Sequence, residues 1–487
     1  MNRRTLIGLT ASLLPLAACA GGSPLIVEPR VATSWGDAAR AGAPAVQDAQ
    51  WWRALNDPVL DQLIAIALAD SPDLEQAAAR RDQAAARMRA SGASRGPQAG
   101  VSSEVSGVRL PPDVTDRVSG LDPEIAQARL QLQAGWELDF WSKAANAARA
   151  EAFGYLGAQE TIQAARASLI GDIAAAYVEL RVLDARLEAG RRAEADLEDL
   201  LGLAQARHGA GVADASETIA AEAERAQQAA QLAELEAARA QTRHALALLV
   251  GRTDEDIGSL LAATAPIPVA PPAPGAGLPN DLLRNRPDVL QAEYAVLAQY
   301  ARLESARADL YPSFSLSGAL GTSSSTLGDG SLTDLFSWDQ RLLSAGLSIT
   351  MPLFNRGKLV AQVDLQDAAL VEAVAAYEKV VLAAQKEVLD ALSQDVGARE
   401  AATRLTETQQ ARQRQVAHAQ TRRDAGVALR TEVLDANLAL NASRDADAQA
   451  RGDVLKAWIA LHRALGTGGR DAANPPSLNF APPSEAS

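Results

Sequence analysis

Residues 207–214 read RHGAGVAD and residues 422–429 read RRDAGVAL. Each stretch interrupts a long run of helix-compatible sequence, and the two lie 215 residues apart. Glycine readily adopts the left-handed backbone conformation that ends many helices. Each Arg-x-x-Ala-Gly-Val therefore predicts the tip of a helical hairpin, with the next helix running back along the first. The same offset maps Pro72-Asp73 onto Pro287-Asp288, Pro97 onto Pro312, Lys143 onto Lys358 and Gly251 onto Gly466. A small shift is expected between Pro97 and Lys143, around Phe140 and Phe354. An offset kept over most of two halves predicts an internal two-fold structural repeat.

Each half carries the same order of elements. Pro72 and Pro287 suit a first helical position, and the acid that follows each suits the positive helix end. A proline and a short strand come next, at 99–108 and 314–322. A polar loop of roughly twenty residues, sized by the spacing of the two strand patterns, leads to a second strand, at 129–138 and 342–351. Leu130, Leu132, Ala134, Trp136 and Leu138 alternate with polar or small residues, as do Leu343, Ala345, Leu347, Ile349 and Met351. Period-two alternation is a strand signal. The helical hairpins follow, over 143–250 and 358–465. Leu169, Ile173, Ala176, Leu180, Leu183 and Leu187 step by threes and fours, and so do Val374, Tyr377, Val381, Ala384, Val388 and Ala391. These are coiled-coil seams. Helices of that length reach on the order of 100 Å at 1.5 Å per residue. Gly171 and Gly190 are candidate kinks. The first repeat is thus placed at 51–261 and the second at 281–466. Between them 262–280 (AATAPIPVAPPAPGAGLPN) holds six prolines and reads as an extended surface connection.

Composition narrows the function classes. The 487 residues carry a formal charge of −14, and aromatics make up only 4%. No basic run is available to neutralise phosphates, so a nucleic-acid partner is excluded. An Ala-rich, aromatic-poor chain suits long helices in close approach. At the N-terminus Arg3 and Arg4 precede an apolar stretch over 6–16 and then Leu16-Ala17-Ala18-Cys19. That pattern predicts a signal peptide over 1–18 and resembles a bacterial lipobox, with lipidation on Cys19, the single cysteine. An ordinary signal peptide with a chance cysteine, and a free buried thiol, are the competing readings. Cleavage removes Arg3 and Arg4 and leaves 44 basic against 60 acidic residues, a net −16. Ala20 after the lipidated position resembles outer-membrane sorting. One cysteine allows no intrachain disulfide. Residues 19–50 read as a lipid-anchored tether and 467–487 as a disordered tail.

No window has eighteen consecutive apolar residues, so no transmembrane helix is expected. Strands of about ten residues are long enough to cross a bilayer tilted. Their edges cannot stand unpaired in lipid, where each unmet N–H or C=O costs several kcal/mol. Closure needs at least about eight strands, and one chain supplies four. The barrel must therefore be shared between chains.

The order of elements, the repeat and the lipobox together resemble the bacterial outer membrane factor family, the TolC-like and OprM-like channels. The resemblance covers about 50–466. It rests on LLRNRPDVLQAE (282–293), on the strand-to-helix corners WELDFWSK (136–143) and PLFNRGK (352–358), and on the AGV turns followed by TEVLDA (431–436). It implies a mainly α protein with a membrane β-barrel: a homotrimer sharing a twelve-stranded barrel continuous with a periplasmic α-barrel. It also implies export of drugs or other small molecules across the outer membrane, with a periplasmic adaptor (membrane fusion) protein and an inner-membrane pump, of the RND type. Outer membrane lipids are the remaining expected partner, and no cofactor is implied.

By position from the turn glycines, the resemblance places the periplasmic gate at Glu432, Asp435 and Glu217. Glu432 and Asp435 share a helix face, so around a three-fold axis they form rings that favour cations. Solvated surface acids are the plain alternative in a chain with 60 of them. Family members more often have Asp at the position of Glu432. Arg207, Arg422 and Arg423 sit before the turns, either complementing the helix dipole or bonding across helices. Gly211, Val212, Gly426 and Val427 form the expected adaptor contact, or simply the turn geometry. Gly92-Ala93-Ser94-Arg95-Gly96 fits the nucleophile-elbow pattern, but a helix precedes it and a strand follows, the reverse of what that motif requires. His208, His244, His418 and His462 show no ligand spacing and read as helix-surface residues. No catalytic or metal site is expected. The competing functions are the outer membrane channel of a type I protein secretion system, a periplasmic adaptor lipoprotein, and a lipid-anchored enzyme.

Overall fold

The computed structural model describes residues 29–32, 35, 49–111, 123–262, 265–275, 286–327 and 330–469. Cys19, the leader and most of the 19–50 tether lie outside them. The elements run α1 (Pro58–Asp70), α2 (Pro72–Ala93), β1 (Gln98–Arg109), β2 (Glu124–Leu138), α3 (Lys143–Gly209), α4 (Ala215–Val250) and α5 (Asp254–Leu261). The second half continues with α6 (Pro287–Ala308), β3 (Ser313–Ser325), β4 (Arg341–Thr350), α7 (Arg356–Asp424) and α8 (Arg430–Ala464). They fall into two compact units. One comprises 84–155 with 294–375, the other the remaining described residues.

The first unit is built on a four-stranded antiparallel sheet in the order β1-β2-β3-β4. β2 begins at Glu124, five residues before the alternation signals it, because 124–128 pair with 105–109 of β1. Apolar residues are too sparse there to announce a strand. The register sorts side chains by chemistry. Val101, Leu132, Leu320 and Leu343 stand in one cross-strand row. Trp136, Leu316 and Leu347 form another on the same face. The opposite face carries Ser102, Glu104, Arg129, Gln131, Gln133, Ser315, Ser317 and Ser348. Successive strand residues point to opposite faces, so along most of its length the sheet is apolar on one side and polar on the other; at the loop end Val108, Ile125 and Leu342 stand on the polar side and Arg109, Glu124 and Arg341 on the apolar one. The apolar side is open along most of its length, with Val101 73% and Leu343 79% exposed, and is covered where Ala128 and Ser324 are buried beside residues 332–336. The outer edges of β1 and β4 have no strand partner among the described residues.

Register also corrects the expected shift around Phe140 and Phe354. Gln98 pairs with Gly135, and the residues 215 further on, Ser313 and Thr350, pair with each other. The offset therefore holds through both strands. The shift arose from matching one phenylalanine to the other. By register Phe140 corresponds to Asn355, and Phe354 to Asp139. At this corner the Trp141 ring N–H donates to the Pro312 carbonyl at 2.8 Å, and Trp141 stacks on Tyr311. Lys143 pairs with Asp309 at 2.7 Å, and that hydrogen bond holds its ammonium pKa above the usual lysine value. The Asp139 carboxylate caps α3 by accepting the N–H groups of Ala144 and Ala145.

The second unit is helical. Its core joins Trp51, Leu60, Leu63 and Ile64 to Ile170, Ile173, Tyr177 and Leu180 of α3, Leu246 and Val250 of α4, and Leu455, Trp458 and Ile459 of α8. The α3 seam is broader than expected: Ile170, Ala174 and Val178 are buried as well. α3 and α7 run without a break. Gly171 and Gly190 do not interrupt the helix. They admit close neighbours, since a Cβ at 190 would lie 2.8 Å from Leu232 Cδ2. His462 departs from the surface reading. It is 3% exposed, stacked 4.9 Å from Trp51 and edge-on to Trp458 at 4.4 Å. Burial pushes its pKa down to about 3. Thr467, placed in the disordered tail, is buried and bonds the His462 carbonyl at 2.9 Å. The described residues continue to Gly469. The described part of the Pro-rich connection has no regular structure. It is held rather than loose: Arg399 donates to the Pro271 carbonyl and Trp458 to that of Pro272.

Candidate functional site

The two AGV turns are built alike. Gly211 and Gly426 have φ of 73° and 75°, a region closed to most side chains. Gly211 N–H donates to the His208 carbonyl and Val212 N–H to that of Arg207; Gly426 and Val427 repeat this onto Arg423 and Arg422. This pair of bonds is the Schellman ending, which satisfies carbonyls left over at a helix C-terminus. Gly251 and Gly466 close α4 and α8 in the same way. The return helices start differently. Asp214 caps α4 by accepting the Ser216 N–H at 2.6 Å, and a bond from the Ser216 hydroxyl, together with that backbone bond, holds its pKa below the usual carboxylate value. Leu429 precedes α8 and has no side-chain acceptor. Glu432 reaches back instead and takes the Leu429 N–H at 3.3 Å.

The candidate residues fall into two groups. Arg207 pairs with Glu217 at 2.9 Å, and Arg422 with Glu432 at 3.0 Å. The two pairs occupy equivalent places under the 215-residue offset. Arg422 also donates to the Val427 carbonyl, bracing the turn. Asp435 and Arg423 are exposed. Of the three candidate acids, Asp435 alone is not engaged by a basic side chain among the described residues. Val212 and Val427 are 69% and 64% exposed, so each turn presents an apolar knob.

The contacts that join the two hairpins lie beyond the motifs. Arg430, at the start of α8, pairs with Asp199 of α3 at 2.5 Å. Asn437 and Asn441 donate to Asp196 at 3.2 and 3.0 Å. Burial raises the Asp196 pKa, and the two amides oppose that shift. Further along the same seam Arg186 meets Asp445 at 2.8 Å, Lys456 meets Glu179, and Arg463 meets Asp172 at 2.6 Å. One signal in the sequence did point here. A cation is disfavoured in the first turn of a helix, so Arg430 in that position implies an external acid.

The remaining motifs assemble nothing. Ser94 bonds its hydroxyl to the Ser91 carbonyl and lies between helix and strand in the order that the elbow motif forbids. Among the described residues no group of three or more His, Cys, Asp or Glu is placed to hold a metal ion. No described helix is long and apolar enough to cross a membrane.

Comparison with known proteins adds an independent line. A family profile described as outer membrane efflux protein matches residues 63–252 and again 278–467. The two matches start and end 215 residues apart. The chain is 31% identical over 468 residues to the pyoverdine export outer membrane protein OpmQ of Pseudomonas putida, covering 95% of this chain and 97% of that one. It is 32% identical over 439 residues to the toluene efflux pump outer membrane protein TtgF of Pseudomonas putida, covering 88% and 87%. Among solved structures, the outer-membrane channel OprN superposes with a TM-score of 0.81 at 28% identity, over 93% of this chain and all of that one.

Proposed function

The chain belongs to the outer membrane efflux protein family, and from that premise we propose that three copies close one channel, the exit duct of a tripartite efflux assembly. The observation that carries this reading is the four-stranded sheet with an apolar face, a polar face and two open edges. In lipid such edges must be paired. Two chains would give eight strands, but an eight-stranded barrel has room only for its own side chains. A conduit for small molecules needs the next multiple, twelve. α7 points the same way: Leu382, Leu389 and Val396, spaced by seven, stay exposed in a single chain and suit a neighbouring helix.

In this reading the chain performs no chemistry, and energy comes from an inner-membrane pump of the RND type. The adaptor contacts the Gly211-Val212 and Gly426-Val427 turns, and Cys19 carries the lipid. The relatives are named for unlike cargoes, pyoverdine and toluene, which favours the pump as the component that chooses small molecules for export. At the tip, Asp435 supplies a carboxylate with no basic partner among the described residues, and Glu432 one paired with Arg422. Two tests apply. Light scattering on the detergent-extracted protein should return three chains, and a monomer would move the adaptor reading forward. Glu432→Ala with Asp435→Ala should shift the reversal potential toward anions, and unchanged selectivity and conductance would remove the acidic gate.

A further inference from the structure

The connection between β3 and β4 does not project away from the sheet. Its first 3-10 turn, Leu332–Phe336, is capped by Ser331 and Asp334. That turn lies on the apolar face, where the Ser324 hydroxyl donates to the Leu332 carbonyl at 3.3 Å. A second turn, Trp338–Gln340, leads directly into Arg341, the first residue of β4. Phe336 and Trp338 are 83% and 76% exposed. The opposite end of the sheet runs into α3 and α7, so this connection stands at the outer surface, on the side turned to lipid.

Arg341 breaks the pattern of that face. It pairs in register with Thr322, one row beyond Leu320 and Leu343. An arginine on the lipid-facing side is costly at mid-depth and tolerated only near the interface. The strand geometry places it there. Met351, on the same face at the helix end, lies ten residue steps from Arg341, about 34 Å along a strand. At a tilt of about 40° that is about 26 Å in height, against an apolar band about 25 Å tall in membrane barrels. Met351 and Arg341 thus mark the two boundaries of the hydrocarbon.

The guanidinium at the outer boundary is set up for an anion. It lies over the Trp338 ring, and its Nε donates to the Trp338 carbonyl at 2.5 Å. Those contacts fix its plane, and its two terminal nitrogens have no partner among the described residues. Asp334 is engaged in capping its own turn, and Asp339 stays outside ion-pair range. A planar guanidinium presents parallel N–H groups that match a phosphate. Resting on the membrane-wall reading, we propose that Arg341, with the Trp338 ring N–H and the Thr322 hydroxyl beside it, holds the phosphate of an outer-leaflet lipid, and that Phe336 sits among its acyl chains. The site lies within one chain, so each copy carries one.

Native mass spectrometry of the detergent-extracted protein tests the site, with bisphosphorylated lipid A, its dephosphorylated form and inorganic phosphate as probes. One phosphorylated molecule should bind per chain, and Arg341→Gln should weaken it by about tenfold or more, the loss of a hydrogen-bonded charge. Arg341→Lys, which keeps the charge, should recover part of the binding. Asp339→Asn removes a nearby opposing charge and should tighten it. Arg109→Gln is the matched control. It removes a cation of the same face that already pairs with Glu124, and should change binding by less than about twofold. The dephosphorylated lipid, with the same acyl chains, should bind the wild type as weakly as the phosphorylated one binds Arg341→Gln. Equal binding of the two lipids, or an equal loss in Arg109→Gln, would overturn the site. Displacement of the lipid by millimolar inorganic phosphate would overturn the lipid assignment and leave a free-phosphate site. The mass also counts chains: trimers without lipid would overturn the site alone, whereas monomers that bind as expected would overturn the shared wall and leave the site standing.

Discussion

Among the described residues the Arg430–Asp199 pair is the ion pair nearest the turns that joins the second hairpin to the first. Its expected contribution follows from its exposure. Both side chains are about half exposed, at 49% and 51%, and ion pairs of that kind contribute roughly 0.2–1 kcal/mol each. Taking about 0.5 kcal/mol and three copies in a trimer, Asp199→Asn should weaken the closed tip by about 1.5 kcal/mol. That is about a tenfold rise in the ratio of open to closed channels. Single-channel recording in planar bilayers reads this ratio directly. The effect should shrink between about 0.1 M and 1 M salt, as the screening length falls from about 10 to 3 Å. Glu236→Gln is the matched control. It breaks the Arg191–Glu236 pair, also exposed and 3.0 Å long, which joins the two helices of one hairpin and not the two hairpins. Arg430→Gln should reproduce Asp199→Asn, and the double variant should add little. An open probability unchanged by Asp199→Asn at low salt, or equally changed by Glu236→Gln, would refute the idea that this pair latches the tip.

Two further outcomes concern stability. His462 is held neutral by burial, with a pKa pushed down to about 3, so the unfolded chain takes up a proton that the folded one does not. Stability from this group is present above about pH 6.5 and falls as pH drops below it, by about 1.4 kcal/mol per unit; thermal unfolding in detergent from pH 7 to 5 should therefore be flatter for His462→Gln, and parallel curves would count against the assignment. Gly452 lets α8 lie against α3, since a Cβ there would stand 2.3 Å from Val182 Cγ2. Gly452→Ala should cost about 1–3 kcal/mol through overpacking and Val182→Ala should restore much of it, whereas an unchanged melting temperature in the single variant would show that the contact is slack.

The hairpins, the strands and the repeat were readable because their signals are local and periodic. The turn glycines, the alternating residues of β4 and the heptad steps of α7 each declare themselves within a short window. Strand limits were harder. Residues 124–128 of β2 are too weakly apolar to register, and their place is set by pairing to β1. The tip was legible only in part. Position from the turn found Glu217 and Glu432, but their engagement by Arg207 and Arg422 depends on how each hairpin closes. Asp199 and Asp196 gave no motif at all, because their partners lie more than 200 residues away in sequence. His462 was misread for a related reason. Trp458 on the same helix covers one side of it, but the other is closed by Trp51, on a short turn far away in sequence, which no pattern around residue 462 can announce.

The 215-residue offset makes β1 the repeat equivalent of β3 and β2 that of β4, which bears on how the proposed shared wall is assembled. A cooper could describe the vessel as six staves delivered in three glued pairs. The glue is the Pro-rich connection, and two of its carbonyls are clasped by Arg399 and Trp458. Joining staves in pairs halves the number of parts that must meet at the membrane. It also lets the two members of a pair diverge, so that one corner keeps Lys143 with Asp309 while its twin keeps only Lys358. In the proposed trimer the ring is six-fold in plan and three-fold in detail, because Lys143 has Asp309 beside it while Lys358 has no such partner among the described residues.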